Sequence, residues 1–197
     1  RPVSPLRTER WVGLQFLEPR LLLSGSSVDS YEDSAQIADA YALNALGFQP
    51  QSKAELQTAV NLWIGNKATA LSTYGEINTW DVSQITTMSA LFKQEATFND
   101  DISSWDVSSV TNMDSMFMRA YDFDQDISSW DVSSVYLFNF MFENASSFNQ
   151  DISSWDVSNA CSNCMANMFQ NAPLSDLNKC AIHASFAQEQ AWNYDWC

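Results

Sequence analysis

The sequence predicts an α/β solenoid: about four 25-residue coils, each a strand, a turn and a short helix, closed by a helical N-terminal cap and a short helical C-terminal cap. Three observations carry this. Ile77, Ile102, Ile127 and Ile152 recur 25 residues apart, and so do Trp80, Trp105, Trp130 and Trp155, with an Asp and a Val following each Trp in register. A unit this short cannot bury its own apolar face and must do so against its neighbours. Within each unit Ile-x-x-Trp-x-Val reads as a strand, and residues such as Met113, Met116, Phe117 and Ala120 follow at helical intervals.

The chain divides into four segments. Residues 1–27 read as a largely extended piece, export-associated by the resemblance of its residues 17–25 given below, residues 28–76 as the helical N-terminal cap, 77–174 as the repeats and 175–197 as the C-terminal cap. In the cap, Ile37, Tyr41 and Ala45 place a helix over 31–46, ended at Gly47. Ser52 with Glu55 forms a capping box, and Leu56, Ala59, Val60 and Trp63 make one apolar stripe, which places a helix over 53–64. A third helical stretch covers about 67–73 and ends before Gly75. These helices are expected to shield the first coil from water. Phe98, Phe123 and Phe148 are the apolar anchors on which each coil returns, and each is followed by an acidic or amide turn such as Asn149-Gln150-Asp151. The fourth coil is two residues longer between Trp155 and Phe169, with Cys161 and Cys164 in the insertion, and a helix from Ser175 to about Ala187 follows it.

The spacing Ile-x-x-Trp-x-Val mimics the Leu-x-x-Leu-x-Leu strand of leucine-rich repeats. The run FNQDISSWDVSSV with a following Met-Phe, covering about 77–174, resembles the BspA-like surface-protein repeats, also known as a domain of unknown function first noted in mycoplasma. That resemblance implies a leucine-rich-repeat-like fold and a secreted or cell-surface, bacterial, adhesive role, and it brings no catalytic residues. Leu17-Glu18-Pro19-Arg20-Leu21-Leu22-Leu23-Ser24-Gly25 resembles the short LEPR-XLL motif near the N-terminus of large exported bacterial proteins.

Charge narrows the partners. The net charge is −15, and from residue 21 onward five basic residues oppose 22 acids. Such a surface repels phosphate backbones and anionic lipid, so nucleic acid and membrane binding are disfavoured. No apolar run approaches the ~18 residues a membrane span needs. An extracellular protein or glycan is the expected partner, and the chain is expected to be a monomer.

The candidate binding surface follows from strand alternation: with Trp105 and Val107 inward, Ser104, Asp106 and Ser108 face outward. The next coil repeats this with Ser129, Asp131 and Ser133, and Asp81 and Asp156 extend the acidic column. Rungs ~4.8 Å apart would set each Asp against the next by roughly 0.8 kcal/mol in water and roughly 3.5 kcal/mol at an effective dielectric of 20. Hydrogen bonds from adjacent Ser hydroxyls or backbone amides can offset that. The sharper alternative is a cation bridging the rungs, with calcium as the candidate because it takes carboxylate, hydroxyl and carbonyl oxygens; otherwise no cofactor is expected. Asp101, Asp126 and Asp151 form a second acidic column at the turns.

Four cysteines allow three connectivities. Pairing Cys161 with Cys164 and Cys180 with Cys197, which staples the tail, is favoured; other disulfide patterns remain open, as does a Cys₃His zinc site using His183. His183 is the single histidine, and with no phosphate loop or nucleophile elbow the chain is not expected to be an enzyme. The triplet Asn144-Ala145-Ser146 is read as chance.

Overall fold

The computed structural model describes residues 47–197. The 17–25 motif, the helix expected over 31–46 and the 1–27 segment lie outside the described residues. Among the described residues there are three α-helices: α1 (Lys53–Gly65), α2 (Lys67–Tyr74) and α3 (Asp176–Phe186), with a 3₁₀ turn at Ile77–Thr79.

Ser52 starts α1 by accepting the Glu55 N–H on its Oγ at 3.2 Å, and Glu55 Oε2 reaches back to the Gln51 N–H at 2.8 Å. Asn66 serves both helices: its N–H closes α1 on Leu62 O, and its Oδ1 accepts the Thr69 N–H that opens α2. Gly75, at φ 74°, ends α2 in a conformation that strains residues carrying a Cβ. The buried stripe Leu56, Ala59, Val60 and Trp63 lies against the first coil. Trp63 Nε1 donates to Asp100 Oδ2 at 2.8 Å, and Lys67 Nζ, 4.6 Å from the Trp63 ring centre, pairs with Asp100 Oδ1 at 2.6 Å.

The coils overturn the expected α/β solenoid. No strand forms among the described residues; there are only the isolated parallel bridges Thr87↔Asn112 and Asn112↔Leu137. Nor does any coil contain an α-helix, so strand-turn-helix is the wrong description. The stretch expected to be a strand is two consecutive turns, closed by Trp105 N–H to Ile102 O at 3.1 Å and Val110 N–H to Val107 O at 2.8 Å. The physical cause is the aspartates. Asp101 Oδ1 accepts the Ser103 N–H and Asp106 Oδ1 the Ser108 N–H, two successive side-chain-closed turns that take those N–H groups out of any ladder.

The stretch expected to be a helix is a run of turns broken by left-handed residues: Ala90, Ser115 and Phe140 at one position, and Gln94, Arg119 and Asn144 four residues on, with φ of 57–68°. Left-handed backbone in residues with a Cβ costs roughly 1–2 kcal/mol each. It is offset by aiming alternate N–H groups along the stack. In the first coil Met88, Ala90, Phe92 and Gln94 donate to Asn112, Asp114, Met116 and Met118 of the second, at 2.8–2.9 Å.

One of these rows runs through all four coils. Phe92, Phe117 and Phe142 N–H donate to Met116, Met141 and Met168 O. At the start of the row Leu91 O is taken by Gln57 Nε2 of α1 at 3.0 Å, and at its end the Phe169 N–H is taken by the Tyr194 hydroxyl at 2.9 Å. Side chains from outside the repeats thus stand in for the missing coils.

The core repeats likewise. Phe92, Phe117, Phe142 and Phe169 stack at 5.5–5.7 Å, and each of the first three lies 3.9 Å from its own Phe98, Phe123 or Phe148. Trp80 stacks on Trp105 at 6.3 Å and Trp130 on Trp155 at 6.5 Å, all four indoles being buried. Beyond the fourth coil, Ser175 Oγ caps α3. Trp192, Tyr194 and Trp196 then meet Phe169 edge-on at 5.4–6.4 Å.

Candidate functional site: the Ser-Asp face

Asp81, Asp106, Asp131 and Asp156 are all exposed, one per coil, between a buried Trp and a buried Val. Each spends one oxygen on its own turn. Oδ1 accepts the N–H of Ser83, Ser108, Ser133 or Ser158 at 3.0–3.1 Å. The Ser108 and Ser133 hydroxyls add bonds of 2.6 Å to Asp106 and Asp131. Oδ2 of Asp81 accepts Gln49 Nε2 at 2.6 Å, whereas Oδ2 of Asp106, Asp131 and Asp156 meets no donor among the described residues. The face therefore presents a column of carboxylate oxygens held at fixed angles by their turns.

At Asp81, Asp131 and Asp156 these bonds favour the ionised form. The Ser83 hydroxyl and then its N–H hold Asp81 below the usual carboxylate range; Ser133 does the same for Asp131 and Ser158 for Asp156. The Asp156 charge acts against this at Asp131, the rung-to-rung repulsion anticipated from the spacing. In the second column the Ser103 N–H lowers Asp101 and the Ser128 hydroxyl lowers Asp126. Asp126, Ser128, Gln150, Asp151, Ser153 and Ser154 line a shallow polar depression of about 360 Å³. Among the described residues no group of three or more His, Cys, Asp or Glu side chains could hold a metal ion.

The serines split in role. Ser108 and Ser133 turn their hydroxyls to their own Asp, as above. Ser104 Oγ instead donates to Asn78 O of the preceding coil, as Ser129 Oγ does to Ser103 O at 3.5 Å and Ser154 Oγ to Ser128 O at 2.8 Å. Their protons are committed to holding coils together.

Two ladders escaped the sequence reading. Trp105, Trp130 and Trp155 Nε1 each donate to the Ile carbonyl of the preceding coil, at Ile77, Ile102 and Ile127, at 2.8–3.2 Å. Asn99, Asp124 and Asn149 each accept a backbone N–H from the next coil, from Asp124, Asn149 and Ser175 at 2.7–2.9 Å. The signal for the second was present in Phe-Asn-Asp, Phe-Asp-Gln and Phe-Asn-Gln, where an Asn or Asp always follows the anchoring Phe.

Cys161 is bonded to Cys164 and Cys180 to Cys197. This leaves no thiolate for the zinc alternative, and two disulfides fit an oxidising, extracellular setting. His183 Nδ1 accepts Trp192 Nε1 at 3.1 Å, a tie between α3 and the tail. No described helix is long and apolar enough to cross a membrane.

The turn-built coils, with their recurring Asp-Val-Ser face, define a repeat domain whose core and caps lie in one stack. The chain belongs to the family described as Mycoplasma protein of unknown function, DUF285, whose model matches residues 62–180, from within α1 to Cys180 in α3. No curated protein and no solved structure shows significant similarity to the chain.

Proposed function

We propose that this is a non-enzymatic binding module, secreted or displayed at the cell surface in the manner of BspA-like proteins, whose Ser-Asp face meets an extracellular protein or glycan. The observation that supports this best is the carboxylate column: one exposed Asp per coil, one oxygen fixed by its turn, and in Asp106, Asp131 and Asp156 the second oxygen without a donor among the described residues. A set of acceptors in register complements a partner that offers hydroxyl, amide or cationic donors at a similar repeat. Replacing Asp106 and Asp131 together by Asn keeps the turn-closing acceptor and removes the charge. Binding to a glycan or protein array should fall with the double variant, and unchanged binding would dismiss the face.

The alternative is a spacer without a ligand of its own, steadied by calcium between rungs. Melting curves separate the two, because a cation at one hundred times its dissociation constant adds about 2.7 kcal/mol. A rise with calcium that chelator reverses favours the spacer, and no rise removes its cation version.

A further inference from the structure

We propose a second binding site, separate from the Ser-Asp face and independent of its role: the cleft where α1, the end of α2 and the start of the first coil meet takes an ammonium group carried on an apolar stem. The cleft has a volume of about 400 Å³, and its lining includes Phe48, Glu55, Thr73, Tyr74, Gly75 and Thr79. Its apolar wall is aromatic. Phe48 and Tyr74, both half-buried, pack with ring centres 4.4 Å apart, and Trp80 backs them both.

Two threonines on its rim act as acceptors because their hydroxyl protons are already committed. Thr73 Oγ1 donates to Thr69 O and Thr79 Oγ1 to Glu76 O, each at 2.7 Å, so both offer lone pairs only. Glu55 gives one oxygen to the Gln51 N–H and keeps the other, and no Lys or Arg of the described residues pairs with it. A carboxylate beside aromatic rings repels anions and attracts a cation through both its charge and the ring faces. The chemistry is common to a lysine side chain of a partner protein and to a small alkylammonium ion.

The test is amide chemical-shift titration of the full chain with Nα-acetyl-lysine methylamide, with tetramethylammonium, and with uncharged Nα-acetyl-norleucine methylamide. Saturable shifts centred on Gly47, Gly75 and Thr79 are expected with a cationic probe and not with norleucine. A response to lysine alone assigns the site to a protein side chain, and a response to tetramethylammonium alone to a small quaternary ion. Glu55→Gln, whose amide oxygen can still accept the Gln51 N–H, should weaken binding about tenfold, equivalent to about 1.4 kcal/mol. Thr79→Val, at an exposed position outside the α-helices, should weaken the lysine probe by about threefold, as loss of one modest hydrogen bond does. No saturable shift with either cation, equal response to norleucine, or affinity unchanged by Glu55→Gln would overturn the proposal.

Discussion

Replacing Trp105 by Phe tests whether the indole ladder holds the coils together. Trp105 is 3 % exposed, stacks on Trp80 at 6.3 Å, lies 5.9 Å from Phe92 and donates from Nε1 to Ile77 O at 2.8 Å. Phe keeps an aromatic ring in the column but removes the N–H and part of the buried surface. The lost hydrogen bond is worth about 1 kcal/mol net. About 40 Å² of apolar surface at ~25 cal/mol/Å² adds about 1 kcal/mol, and incomplete collapse of the space left adds up to about 1 more. The sum is about 2–3 kcal/mol. Ile77 O retains only the longer bond from the Trp80 N–H at 3.3 Å, which places the change at the upper end of that range. Urea unfolding followed by the fluorescence of the remaining indoles reads the loss as a lower midpoint at unchanged slope. Tyr136→Phe, at a side chain 45 % exposed, is the control and should shift stability by less than about 0.5 kcal/mol. A loss below about 1 kcal/mol in Trp105→Phe would refute the ladder as a cohesive element.

Arg119→Asn should stabilise the protein by about 0.5–1 kcal/mol, since Arg119 has φ 61°, Asn144 and Asn171 already occupy the equivalent positions, and Asn tolerates that backbone best among non-glycine residues; thermal melting checks it. Stability should be level from pH 7 to about 5 and fall below about pH 4: the folded pKa values of Asp81, Asp101, Asp126, Asp131 and Asp156 lie under the unfolded value of about 3.9, so their contribution is complete above that value and lost as pH drops through the folded ones, which urea midpoints against pH will show. Exchanging Cys180 and Cys197 for Ser opens a loop of separation 17, which costs about 3 kcal/mol by chain entropy. Hydrogen exchange should then speed up at the Phe169 amide, which loses the Tyr194 hydroxyl, while the Phe117 and Phe142 amides stay protected by their neighbouring coils.

What the sequence disclosed followed from burial. The 25-residue recurrence of Ile, Trp and Val identified side chains that are buried, and the Ser52–Glu55 pair located the start of α1. The local backbone was not legible in the same way. Trp105-x-Val107 alternates its exposure both in a strand and in paired turns, so those positions alone could not separate the two, whereas Ile102, three residues before Trp105 and buried with it, breaks the strand period. The decisive feature is the Asp-x-Ser spacing, which closes a turn locally at Asp101, where a turn is expected, and equally at Asp106, where a strand is expected. The left-handed positions were hidden for another reason: Ala90, Arg119 and Phe140 carry no mark of positive φ, and only the Asn at 144, 163, 167 and 171 hints at it. The Ser104 and Ser129 hydroxyls, expected on a recognition surface, are bound to the coil before, because an exposed side chain next to an unpaired carbonyl finds it.

The hydrogen-bond row that begins at Gln57 and ends at Tyr194 leaves the length of the molecule open. Neither terminating side chain depends on how many units lie between, so a duplicated 25-residue segment could enter the middle without disturbing either closure. Each such addition would extend the acidic face by one aspartate. Evolution could thereby lengthen the reach of this surface in whole steps while both ends stay as they are.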